Sequence, residues 1–233
     1  METIWLHVRA PFAAFRPFQA GGYRSTYPVM PPSVAYGLML NFAGIEMRGP
    51  IQGVITGIRS GLPEMRIAVG LMTRPRVSTI FQQLHSYPVG MTANRLSGRA
   101  RGTKYLIAPV RRELLAGYDG VVGVQTADRS LARQIRQGVA GEFESERYGL
   151  PFLGDNSFMI DQVELLVTPP AAWWYCLVGD EGGARRGACR LTVGIDRLDN
   201  SRTTSLVMAP TMEQVIGPPE GAWVMTPGLT LLS

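Results

Sequence analysis

FAAFRPFQAGGYRSTYPVMPPSVAYGLMLNFAG, Phe12 to Gly44, is the stretch whose reading decides the fold. Pro28, Pro31 and Pro32 fix φ and stiffen the entry into a short helix. Ser33 stands where an N-cap belongs, ahead of Val34, Leu38 and Phe42, which share one helical face. Gly44 suits the helix end. This predicts a helix over 33–43. Its first N–H groups, at Val34, Ala35 and Tyr36, would face an anion. Arg16 and Arg24 lie on the loop leading there, and no Asp or Glu occurs from Thr3 to Ile45.

Working outward, Ile4-Trp5-Leu6-His7-Val8 alternates as a strand does, with Ile4, Leu6 and Val8 on one face and Trp5, His7 and Arg9 on the other. Val54 to Ile58 and Met65 to Met72 read as two more strands. Strand, helix, strand, strand opens a split βαβ unit of the ferredoxin-like or RRM-like kind. Residues 74–112 read as a long protruding hairpin with a basic tip. Val121 to Val124 reads as a short strand, and Asp128 N-caps a helix over 128–139. Residues 141–156 read as a loop. Strands near 158–168, 172–178, 188–195 and 203–209 make the second half β-rich, and Gly182 to Gly187 reads as a hairpin tip. The expected class is α+β: an RRM-like region 1–140, and a β-rich part 141–233 packed on it.

The charge is segregated. Residues 1–112 hold 14 Lys and Arg against 3 Asp and Glu, while 113–233 hold 9 against 15, so the net +5 balances a basic first half against an acidic second. Between Glu64 and Glu113 there is no acid, yet Arg66, Arg74, Arg76, Arg95, Arg99, Arg101, Lys104, Arg111 and Arg112 all fall there. Such a field suits a polyanion, and arginine's planar fork both grips phosphate and stacks on bases.

Two motifs carry a resemblance. Phe12-x-x-Phe15-Arg16, followed by Tyr27-Pro28-x-x-Pro31-Pro32-Ser33 and Gly37, resembles the opening of the fifth Cas family, the Cascade subunit that holds the 5′ handle of a CRISPR RNA. Arg147-Tyr148-Gly149-Leu150-Pro151-Phe152-Leu153-Gly154-Asp155-Asn156 resembles a segment of that family's DevS-like branch. The resemblance implies a RAMP fold, a 74–112 "thumb" reaching over the guide RNA, and a cytoplasmic ribonucleoprotein complex for antiviral defence. Its implied partners are the CRISPR RNA, the backbone and large subunits, and target DNA through the complex. In a transposon-coupled system they would include transposition proteins.

The candidate RNA contacts are Arg16, Arg24, Tyr27, Ser33 and Val34 at the helix entry, and Arg95, Arg99, Arg101 and Lys104 on the hairpin. Backbone N–H and guanidinium groups hold phosphates without reading sequence. Gly37 suggests either close approach of another backbone or tight helix packing. Gly149 and Gly154 read physically as a turn seating Phe152 and Leu153, while the resemblance implies a loop against the guide. Trp5, His7 and Arg9 could stack bases on an RRM-like sheet, but the second half needs a surface to pack on, so that face is expected to be covered.

Catalysis is not expected. One branch of the family cuts RNA with an adjacent Lys-His pair and a Tyr; here the two histidines, His7 and His85, do not adjoin Lys104. The alternative of a metal-independent endoribonuclease would rest on His85, Lys104 and Tyr36. A third alternative is an RRM-like module that binds protein. No metal-ligand spacing or nucleotide-binding glycine loop is present, so no metal or cofactor is expected. Cys176 and Cys189 read as reduced core thiols. The apolar runs are too short for a membrane-spanning helix, and no signal peptide is evident, which makes the cytoplasm the default.

Overall fold

The structure, a computed structural model, describes residues 1–17, 22–49, 56–86, 106–142, 147–179 and 185–227. β1 (Glu2–Ala13) is a long strand whose alternation buries Ile4, Leu6, Val8 and Ala10. β2 (Tyr23–Arg24) and helix α1 (Pro32–Phe42) follow. β3 (Met65–Thr73), β4 (Arg76–Ser86) and the 21-residue β5 (Leu106–Thr126) come next, then helix α2 (Arg129–Ala140). β6 (Gln162–Leu166), β7 (Ala171–Leu177), β8 (Cys189–Gly194), β9 (Thr204–Pro210), β10 (Val215–Ile216) and β11 (Val224–Thr226) follow among the described residues.

The strands run in the order β6-β1-β5-β3-β7-β9-β8. Every neighbouring pair on this path is antiparallel. The two described helices pack together on one face of the sheet: α1 meets β3, β8 and β11, and α2 meets β1, β5 and β6. α1 is therefore enclosed, with nine of its eleven residues buried, as an all-round apolar helix requires. Strands from 141–233 extend the sheet begun by 1–140: β6 pairs with β1, and β7 and β11 pair with β3.

β5 organises the molecule. Its second half lies between β1 and β3, and its first half pairs with β4 from Arg76↔Ala116 to Ser86↔Leu106. The expected break between the hairpin ending at 112 and the strand at 121–124 does not occur. Gly117, at φ 68°, takes a left-handed backbone within the strand, and the register with β1 runs on unchanged from Ala10↔Tyr118 to Phe12↔Ala116. The charged run Arg111-Arg112-Glu113 stays in the ladder because Arg112 and Glu113 find partners there. Of the strand expected at 54–58, residues 54–55 lie outside the described residues, and Ile58 forms an isolated bridge with Arg48. Gly182 to Ala184 also lie outside them.

Asp128 caps α2 as expected, accepting from the N–H groups of Ser130 (2.8 Å) and Leu131 (3.1 Å). α1 differs from expectation. Its N-cap is Pro31 and Pro32 occupies the first turn, so Ser33 lies inside the helix, buried, with its Oγ unpartnered among the described residues. Two prolines in succession move the helix start one residue upstream, because proline suits the first helical position.

Candidate nucleic-acid interface

The Pro-set segment is built into the core, with Val29 and Met30 fully buried. Tyr27 donates its N–H to the Phe15 carbonyl at 2.7 Å, and its hydroxyl sits 3.2 Å from Thr192 Oγ1. Its phenol is thus engaged in tying the two halves together. The N–H groups of Val34 and Ala35 both point to the Pro31 carbonyl at 3.0 Å. The helix start therefore offers far fewer free donors than its sequence suggests. An added Cβ at Gly37 would meet, among the described residues, only Met47 Sδ at 3.7 Å, so neither the sheet nor another backbone crowds it.

The two sequence blocks meet in space. Ala14 donates its N–H to the Leu153 carbonyl at 3.1 Å, and Arg16 forms an ion pair with Asp155. Gly154, at φ 76°, lies so close to β1 that a Cβ there would stand 2.2 Å from the Ala14 carbonyl oxygen. Gly149 is exposed, with open space around its Cα, and its carbonyl accepts from Asn41 Nδ2 at 3.0 Å.

Arg112 reaches the same Asp155 oxygen from β5 and lies over the Phe158 ring at 5.4 Å. Arg24, held by β2 beside Arg112, makes no ion pair among the described residues. Burial and the charges of Arg16 and Arg24 lower the Arg112 pKa, and burial with Arg24 lowers that of Arg16. Three guanidinium groups around one carboxylate leave a net positive patch. Glu113 is engaged locally, accepting from the Tyr23 hydroxyl and from the Thr26 N–H at 3.0 Å. Arg74 in the turn after β3, Arg76 on β4 and Arg111 on β5 also lack carboxylate partners among the described residues. Arg95, Arg99, Arg101 and Lys104 lie outside the described residues.

The Trp5 face of the sheet is covered. Trp5 packs against Trp174 and Trp223 at 6.1 and 5.8 Å between centroids, and both tryptophans come from the second half. His7 Nε2 is 2.6 Å from Asp119 Oδ1, which fixes the ring in a polar cluster with Glu164. Tyr36 donates its hydroxyl to the Pro63 carbonyl at 3.0 Å, and burial pushes its pKa up to about 12. No group of three or more potential metal ligands exists among the described residues. Both cysteines are free and half-buried, and no described helix is long and apolar enough to cross a membrane.

No family model and no curated protein sequence matches the chain. Solved structures do. A chain of a CRISPR RNA-guided surveillance complex superposes with a TM-score of 0.57 at 15% identity, covering 95% of this chain and 96% of that one. A Cas protein of known crystal structure gives a TM-score of 0.52 at 14% identity, covering 94% of this chain and all of that one, 100%. The fold is that of Cas proteins. The likeness spans both halves, so the β-rich second half is part of the shared architecture.

Sequence reasoning missed Asp155 as the hub of the Arg16 cluster, although it lies in the second block. It also missed Trp173 and Arg186, which join Arg74 around a cavity. Those three come from segments far apart in the chain, and no local pattern links them.

Proposed function

We propose that this chain is a non-catalytic subunit of a type I CRISPR surveillance complex that holds the 5′ handle of the CRISPR RNA. The observation that carries this reading is the near full-length match, in both directions, to a chain of a CRISPR RNA-guided surveillance complex. The finer fold reading is a ferredoxin-like (RAMP) unit. The order β6-β1-β5-β3, with α1 and α2 on one face, supports it. On this reading the β4–β5 ladder is the root of the thumb. Phosphates meet Arg16 and Arg24 beside that root, and also Arg95, Arg99, Arg101 and Lys104. The acidic second half docks the backbone and large subunits in the cytoplasm.

The test is binding of a handle-length single-stranded RNA to the purified chain across salt. Six phosphate contacts on a single strand imply a fall of roughly 300-fold between about 50 and about 200 mM salt. An affinity unmoved by salt overturns the reading. Clean cleavage of repeat RNA in EDTA, lost in His85→Ala, replaces "non-catalytic" with the endoribonuclease reading.

A further inference from the structure

Strand alternation points Leu115 to the opposite face of β5 from Arg112 and Asp155. On that face lies a cavity of about 580 Å³, walled by Val77, Leu115, Trp173 and Tyr175 and rimmed by Arg74 and Arg186. Its size falls within the range of small-ligand pockets, about 300–1,000 Å³. Leu115 and Tyr175 are buried, so the floor is fixed, whereas Val77 is 54% exposed. None of its described lining residues is acidic. Neither Arg74 nor Arg186 has a carboxylate partner among the described residues. Arg74 lays its guanidinium over the Trp173 ring, 4.6 Å from the centroid. The indole thus lies against the Arg74 cation, and both side chains line the cavity.

We infer that this cavity seats one unstacked base of single-stranded RNA on the Arg74 guanidinium, with the flanking phosphates neutralised by Arg74 and Arg186. The inference rests on the RNA-binding reading but uses none of the Arg16–Asp155 residues. Bases stack on guanidinium planes as they do on aromatic rings, and contact with the indole limits where the Arg74 guanidinium can move. A neutral apolar side chain would fill the walls but leave two cations on the rim uncompensated. A nucleotide satisfies both walls and rim.

The test uses the full chain, an adenosine RNA octamer and an abasic octamer of the same backbone, at one salt concentration. Wild type is expected to prefer the adenosine octamer by about tenfold, the worth of one stacked base. Arg74→Lys keeps the charge but not the plane. It is expected to retain affinity for the abasic octamer and to lose the preference. Arg74→Ala is expected to lose the preference and to weaken both. Arg74 is exposed, so these variants should fold. Trp173→Phe should keep most of the preference, and circular dichroism melting checks that it remains native. An unchanged preference in Arg74→Lys, or equal wild-type binding of the two octamers, overturns the base seat and leaves RNA binding standing. Failure of wild type to bind either octamer overturns both.

Discussion

Arg16 and Arg112 donate to the same oxygen, Oδ2 of Asp155. They are not equivalent. The Arg112 side chain is 6% exposed and that of Asp155 10%, whereas that of Arg16 is 33% exposed. Removing Asp155 would leave the Arg112 guanidinium buried beside two like charges. Asp155→Ala is therefore expected to destabilise the protein by about 3–5 kcal/mol, and Arg16→Ala by less than about 1 kcal/mol. Urea denaturation measures both. Similar small losses would mean that water screens the cluster.

The same asymmetry separates the two arginines toward RNA. Arg24 has no carboxylate partner among the described residues, so its charge is available to a phosphate. Arg16 already shares Asp155. Arg24→Ala should weaken binding of a single-stranded octamer by about tenfold, the worth of one charged hydrogen bond. Arg16→Ala should weaken it less. The reverse order, measured by fluorescence anisotropy, would place the phosphate path on Arg16.

Gly154 and Gly149 belong to one motif but meet different surroundings. At Gly154 a Cβ would drive into the Ala14 carbonyl from a left-handed backbone, while at Gly149 it would meet open space. Gly154→Ala is expected to cost at least about 2 kcal/mol. Gly149→Ala should change stability by under about 0.5 kcal/mol. Equal melting temperatures for the two variants would mean that β1 and the 152–155 turn separate readily.

Much of the fold was legible because its signals are local. The alternation of Ile4-Trp5-Leu6-His7-Val8 gave β1, and Asp128 ahead of Leu131 and Ile135 gave α2 with its cap. β5 was split in two because Arg111 and Arg112 broke the apolar pattern, and the carboxylate that justifies Arg112 lies 43 positions away in the chain. Ser33 looked like a cap because serine usually is one; the preceding prolines outweighed it. β10 and β11 are two and three residues long, too short to carry a period. At the candidate site, Arg16 and Arg24 were readable from their acid-free context. The engagement of Tyr27 with Thr192, and of the Val34 N–H with Pro31, depends on tertiary contacts and cap geometry.

Burial pushes the Cys189 thiol up to about 11 from the usual 9.0 and also raises Cys176. A raised thiol pKa means less thiolate at any pH below it. At pH 8 Cys189 carries about a hundredfold less thiolate than an ordinary cysteine, so alkylation by iodoacetamide should be slowed to at least that extent in the native protein. Reaction should recover as pH rises toward 11 or on unfolding in urea. Fast labelling of native Cys189 at pH 8, seen by mass spectrometry, would show that β8 opens.

Trp5 stands on the sheet face where an RRM-like protein would stack a base, but Trp174 and Trp223 occupy that space. The backbone opposite is fitted to it: a Cβ at Gly123 would lie 2.5 Å from the Trp5 ring. The aromatic contribution here is to packing, between the first strand and the second half of the chain. Trp5→Ala should cost about 3–5 kcal/mol by opening a cavity in that layer. The fraction that remains folded should bind single-stranded RNA with wild-type affinity. Trp5→Phe should recover much of the stability and leave binding unchanged. A Trp5→Phe protein that melts like wild type yet binds RNA several-fold more weakly would show that a base reaches this face in the complex with RNA.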